Sequence, residues 1–140
     1  MVTGVLAMAV SRIKAIIPGD IHQVWDVVLS VEKYTWRTDL SKTERIHEKA
    51  FIEYTKEGFP TTLTTTLLEP YRRWEFTVEN ANMKGHWTGV FTSRGKETEI
   101  CFTEEVTAKK FFFRPFVKWY LKKQQARFVS DLKRAVIQAN

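Results

Sequence analysis

With one cysteine, four prolines and three histidines among 140 residues, several kinds of protein can be set aside at once. Cys101 alone cannot build an internal disulfide framework or a Cys-rich zinc site. It alternates with Ile100 and Phe102 along a strand pattern and reads as a small strand residue rather than a nucleophile. His22, His47 and His86 fall in separate elements, and no pair has metal-ligand spacing, so no metal site is expected. A Gly-rich phosphate loop is also missing. Gly85 and Gly89 lie inside a strand pattern around Trp87, where they relieve crowding or let the sheet bend. No cofactor is expected. No apolar run approaches the ~20 residues a membrane helix needs. The apolar stretch 1–10 lacks the basic flank of a signal peptide and reads as the start of a buried strand, with Met1 and Met8 both candidate starts. A lone cysteine and no export signal point to a cytoplasmic protein.

Acidic residues are nearly absent from one region only. Residues 108–140 carry nine Lys/Arg against Asp131 alone, and seven of the nineteen aromatics; residues 1–107 carry 13 bases and 15 acids. The chain has the length of one ordinary domain, and its 44% hydrophobic share is enough for a real core.

The periodicity divides the chain. A first strand is expected over 10–17, with Ser11, Ile13, Ala15 and Ile17 on one face. Pro18-Gly19 ends it, and Asp20 with Gln23 forms an N-cap pair. Ile21, Val24, Trp25 and Val28 then follow at helical spacing. A second helical turn is expected over 31–34. From 41 to 107 the period is two and the composition turns β-branched and aromatic. Strands are expected over 42–47, 50–56, 61–69, 73–79, 84–93 and 98–107. The connections between them are so short that they require antiparallel hairpins. After Arg114-Pro115 a final helix over 115–138 would run about 36 Å. Val117, Leu121, Gln124, Phe128, Leu132 and Ala135 make its apolar stripe, with Lys118, Lys122, Gln125 and Val129 on another line.

This order of elements resembles the START-like (SRPBCC) helix-grip superfamily, which includes polyketide cyclase/dehydratase-like proteins, lipid-transfer domains and plant pathogenesis-related proteins. Three stretches carry the likeness. Ile17-Pro18-Gly19-Asp20-Ile21-His22-Gln23-Val24-Trp25-Asp26-Val27 is similar to the family's strand end, tight turn and helix. Tyr34-Thr35-Trp36-Arg37-Thr38-Asp39 is similar to its aromatic link into the next strand. Gly85-His86-Trp87-Thr88-Gly89-Val90-Phe91 with Thr98-Glu99-Ile100-Cys101-Phe102 is similar to its last two strands. The resemblance spans about residues 8–138 of a single 1–140 domain. It implies an α+β helix-grip fold: a curved antiparallel sheet of about seven strands around a long C-terminal helix, with two short helices after strand 1. It also implies an elongated apolar cavity between sheet and helix.

Within that frame Trp36, Trp74, Phe76, Trp87, Phe91 and Tyr120 are placed to line the gap, or simply to pack the core. Glu104 shares a face with Ile100, Phe102 and Val106. It is either a desolvated carboxyl, able to anchor a ligand or move a proton, or a residue that reaches water or a basic partner where the strand frays. Tyr54 offers a phenol to the cavity or caps the sheet. Gln124, polar within an apolar stripe, needs a partner if buried.

The expected function is binding of a small to medium hydrophobic ligand, of lipid, polyketide or isoprenoid-like kind. One alternative is a cofactor-independent cyclase, dehydratase or isomerase with Glu104 as proton shuttle. Another is a membrane-associated lipid or quinone chaperone. The basic helix reads as a solvated face, or as a contact for an anionic membrane through 111–123 that would place the protein at the membrane periphery. A nucleic-acid partner is disfavoured because no reader motif accompanies the charge.

Overall fold

In the computed structural model, residues 8–139 are described. Strand β1 (Met8–Ile17) leads into helix α1 (Ile21–Leu29) and then six strands: β2 (Leu40–His47), β3 (Ala50–Thr55), β4 (Pro60–Glu69), β5 (Arg73–Glu79), β6 (Met83–Arg94) and β7 (Glu97–Ala108). A 3-10 turn (Phe111–Phe113) opens directly into the long helix α2 (Arg114–Ala139). The part of the expected N-terminal strand run that falls in 1–7 lies outside the described residues.

The strands form one antiparallel sheet in the order β1-β7-β6-β5-β4-β3-β2. Consecutive hairpins build β2 to β7, and β1 returns to close against β7, with Met8 opposite Thr107 and Ile17 opposite Thr98. Register shifts interrupt β2 between Leu40 and Lys42 and between Arg45 and His47, and β4 between Thr65 and Leu67. Bulges of this kind bend a strand and increase its twist. The sheet thus gains a concave face, and the alternation of each strand decides what lines it.

At the β1–α1 turn, Asp20 caps α1 by accepting from Gln23 N at 2.9 Å, and Gln23 Nε2 donates across to the Val136 carbonyl at 3.2 Å. The buried Thr98 hydroxyl donates to the Gly19 carbonyl at 2.8 Å, which pins the turn to β7. Trp25 then packs edge-on to Phe91, with ring centroids 4.9 Å apart. At Gly89 a Cβ would fall on the Trp87 ring, so the glycine is what lets that ring lie flat along the sheet.

Two expectations about helices need correction. The segment 31–34 forms turns, not a second helix. Lys33 N bonds the Ser30 carbonyl and Arg37 N the Tyr34 carbonyl, while the Val31 carbonyl is taken by Thr43 Oγ1 from β2. Cross-links to the sheet replace the helical ladder.

The phase of α2 also differs from the one expected. Its buried residues are Val117, Leu121, Gln125, Val129, Asp131, Leu132 and Val136. Gln124, Phe128 and Ala135 lie at the edge of this stripe and are only half-buried. Of the two adjacent glutamines the buried one is therefore Gln125, which exchanges two bonds with β1: Ser11 Oγ donates to Gln125 Oε1 at 2.7 Å, and Gln125 Nε2 donates to the Ser11 carbonyl at 2.9 Å.

A buried donor or acceptor stripped of its partner costs roughly 1–3 kcal/mol. Gln125→Leu is therefore expected to lower unfolding stability by about that amount in urea titration, and Gln124→Leu to change it by under about 0.5 kcal/mol. The opposite ranking would mean that α2 is seated in the other phase.

Candidate functional site

Helix α2 packs on β1 and β7, and α1 on one end of β6 and β7, which leaves most of the concave face of β3 to β5 without a helix against it. The link from Ser30 to Asp39 covers it instead, and hydrogen bonds and ring contacts tie that link to α2. Asp131, itself buried, accepts from Thr38 N at 2.8 Å and from Thr38 Oγ1 at 2.9 Å. Arg134 donates to the Trp36 carbonyl at 3.1 Å and to Asp131 at 2.9 Å. Trp36 meets Phe128 edge to face at 5.3 Å. Burial pushes the Asp131 carboxyl up, but bonds from Thr38 and Arg134 outweigh it and hold the carboxyl below its usual range.

Between link, sheet and α2 lies a cavity of about 180 Å³. Its floor is aromatic: Trp74, Phe76, Trp87 and Phe102, with Phe76 and Trp87 stacked 4.6 Å apart and 12° from parallel. The Trp74 indole N–H is satisfied by Thr65 Oγ1 at 3.0 Å, so this ring presents carbon to the cavity. Trp36 and Phe128 form the opposite wall. The mouth opens between Lys33, Thr55, Thr61, Asn80, Met83, Tyr120 and Gln124, where the lining side chains become half-buried or exposed. There Gln124 Nε2 donates to the Tyr120 hydroxyl at 3.0 Å.

Two polar features interrupt the apolar lining. Arg37 bonds Asp39 through Nε and one terminal nitrogen, both at 3.0 Å, and Glu53 through the other at 3.2 Å. Its guanidinium also lies 4.7 Å from the centre of the Phe128 ring. Burial opposes the charge, yet Glu53 and Asp39 keep Arg37 firmly protonated.

Glu104 is the second. It sits in β7 between Ser11 of β1 and Trp87 of β6, and its side chain lines the cavity. Among the described residues no hydrogen bond or ion pair holds its carboxyl. Desolvation, helped by the charge of Glu53 and opposed by that of Arg37, pushes it up to about 7. The carboxyl is therefore close to half ionised near neutrality, in an apolar chamber with room beside it. Tyr120, at the mouth, is also raised, first by burial and then by Glu104 and Asp39 against the bond from Gln124.

Of the residues expected at the site, Trp36, Trp74, Phe76, Trp87, Glu104, Tyr120 and Gln124 line the cavity. Tyr54 and Phe91 do not. Tyr54 is on the convex face, where its hydroxyl donates to Glu44 Oε1 at 2.9 Å and its ring lies under Lys42. Its neighbours Phe51 and Glu53 are the ones that face inward. Phe91 is on the concave face but too far along β6, buried beneath Trp25 of α1. Arg37, Asp39 and Glu53 were not singled out from the sequence; the signal was a base two residues from an acid beside a tryptophan.

The three histidines lie elsewhere. His22 packs at a tilt against Tyr71, His47 accepts from Lys49 N in a turn, and His86 bonds Glu75 at 2.9 Å on the convex face. Among the described residues no three His, Cys, Asp or Glu side chains converge as metal ligands.

Residues 8–136 match a family model described as polyketide cyclase / dehydrase and lipid transport. No curated protein matches the chain. Solved structures do. A START superfamily protein from Mycobacterium smegmatis is 11% identical with a TM-score of 0.83, over 95% of this chain and 99% of its own. The Zhui aromatase/cyclase from Streptomyces sp. R1128 is 11% identical with a TM-score of 0.84, over 94% of each chain. Norcoclaurine synthase from Thalictrum flavum, in complex with dopamine and hydroxybenzaldehyde, is 12% identical with a TM-score of 0.72, over 95% of this chain and 88% of its own. At such identities the likeness is one of fold: a seven-stranded curved sheet with a long C-terminal helix.

Because its carboxyl is raised from 4.5 to about 7, Glu104 favours the protonated folded state. That contribution is complete below about pH 4.5 and lost as pH rises through 7, a loss of up to about 3 kcal/mol. Glu104→Gln is expected to abolish this part of the pH dependence and to be more stable than the parent above pH 7. Equal slopes for the two proteins between pH 4.5 and 7 in urea titrations would show that Glu104 titrates normally.

Proposed function

From the chain's membership of the polyketide cyclase / dehydrase and lipid transport family, to which it belongs over residues 8–136, we propose that it binds a small aromatic or similarly apolar molecule. The ligand carries a hydroxyl or carbonyl that meets Glu104. One observation carries this reading: an aromatic cavity lined by a carboxyl that no hydrogen bond or ion pair holds among the described residues.

Size narrows the class. An apolar cavity of about 150 Å³ takes up benzene, so the present 180 Å³ holds about one ring or its aliphatic equivalent. A longer ligand would extend through the mouth past Tyr120 and Asn80. The one-ring ligands of the norcoclaurine synthase complex fit this scale. Burial of apolar ligand surface, at roughly 25 cal/mol per Å², provides the driving force. Trp36, Trp74, Trp87 and Tyr120 shape the ligand, Glu104 orients it, and Arg37 with its two carboxylates closes one end of the chamber.

A second reading rests on the ionisation of Glu104. A carboxyl near half ionisation can both take and give a proton, which suits a cofactor-independent cyclase, dehydratase or isomerase. It would give turnover with a pH profile inflecting near 7 and lost in Glu104→Gln, while the ligand still bound.

Calorimetry with p-cresol and toluene separates the apolar part of the binding from the polar part. Both are expected to bind, p-cresol more tightly, because its hydroxyl donates to Glu104. Glu104→Gln should weaken p-cresol by roughly 10-fold or more, the value of a hydrogen bond to a charged group, and leave toluene unchanged. If neither probe binds at millimolar concentration, the reading fails.

A further inference from the structure

The aromatics of 111–120 are not used by the cavity, apart from Tyr120. Phe111 is 73% exposed, Phe116 and Trp119 63% each, and Phe112 54%. On α2, Phe116, Trp119, Tyr120 and Lys123 fall within about 100° of arc at 3.6 residues per turn, adjacent to the buried stripe of Val117 and Leu121. The 3-10 turn continues this surface, with Phe111 edge-on to Phe112 and Phe112 tilted against Phe113. Aromatic exposure this concentrated calls for a partner.

Charge identifies the partner. Residues 108–123 contain six Lys/Arg and no acid. Lys109 is engaged, with Glu79 at 3.0 Å. Lys110 lies over Phe113 and Lys123 over Trp119, at 5.8 and 5.1 Å from the ring centres. Lys122 lies next to Trp119 around the helix and Lys118 one step beyond it, both exposed. Rings that reach the acyl boundary with cations at headgroup level are the pattern of an interfacial helix. No helix among the described residues is long and apolar enough to cross a membrane, so the contact would lie in the plane of the surface.

We infer that the 3-10 turn and first two turns of α2 are a docking face for an anionic membrane surface. The face adjoins the cavity mouth. Tyr120 belongs to both, and Lys109 N bonds the Asn82 carbonyl beside the mouth residues Asn80 and Met83 at 2.8 Å. Docking would therefore turn the mouth toward the lipid, giving an apolar ligand a path between bilayer and cavity that avoids water. This consequence rests on the cavity reading; the docking itself does not.

The experiment is flotation of the whole protein with vesicles of phosphatidylglycerol mixed equally with phosphatidylcholine, and with phosphatidylcholine alone. Salt is raised until the screening length falls from about 10 Å to about 3 Å. The protein is expected to float with the anionic vesicles at low salt, and less so as salt rises. Replacing Lys110, Lys118 and Lys122 together by Gln should lower partitioning roughly 100-fold, at about fivefold per cation. Replacing Phe112, Phe116 and Trp119 together by Ser should lower it at least as far, roughly tenfold per ring. Both variants should bind p-cresol as the parent does, which separates failure of docking from failure of the cavity. No flotation at low salt would overturn the inference. So would parent-like flotation of the serine variant, which would leave only electrostatic adsorption. A parent dimer that sediments as a monomer in the serine variant, with no vesicle binding, would assign the face to a second copy.

Discussion

The reciprocal bonds between Gln125 and Ser11 set the position of everything on α2. Both side chains are buried, and a helix turned by one residue would leave an amide and a hydroxyl without partners. Apolar packing alone tolerates such rotation more readily than hydrogen bonding does. With this pair in place, Asp131 comes up to Thr38, Phe128 reaches Trp36 and Arg37, and Tyr120 reaches the rim. The same rotation turns Phe116 and Trp119 outward. Chamber and exposed face are two results of one helix phase.

A second constraint is electrostatic. Inside the chamber lie Arg37, Asp39, Glu53 and Glu104, with Lys33 and Glu79 at exposed positions of the lining. The geometry of the guanidinium is used up on Asp39 and Glu53. Glu104 receives only its more distant field, together with the repulsion of Glu53. A protein needing only structure could place leucine at 104, as Phe102 and Val106 on the same face show. An unpartnered carboxyl there has a cost with no folding benefit.

Much of this was legible in the residues. Period-two alternation from 41 to 107, short turn-rich connections and the Asp20 cap define the sheet and the first helix, and Ile100, Phe102 and Val106 put Glu104 on the inward face while leaving open whether it stayed dry or reached water or a basic partner. Where the pattern carried two answers, it failed. In β3, Phe51 on one parity and Ile52 and Tyr54 on the other are all apolar or aromatic, so alternation did not decide which faces inward; pairing with β2 and β4 does. On α2, Gln124 and Gln125 are adjacent identical residues, and only Ser11, 114 positions away from Gln125, distinguishes them. Phe91 had the right face but the wrong depth, since distance along a strand from α1 is a tertiary property. Arg37 was invisible for a different reason: a charged side chain is expected at the surface, and its two acids are brought together by the link and β3.

The closure of β1 on β7 has a consequence for how the chain is made. Ser11 finds Glu104 across the sheet and Gln125 across the core, so the first strand has no partner until β7, about 90 residues later, has left the ribosome. At roughly 5–20 residues per second, this leaves several seconds in which Ile13, Ala15 and Ile17, with the apolar face of α1, have nothing to pack on. The β2 to β6 meander pairs only with its neighbours in order and can assemble in the meantime. Contacts of such long sequence separation are slow to form, so arrival of the last helix is the step that ends this exposure and creates the chamber.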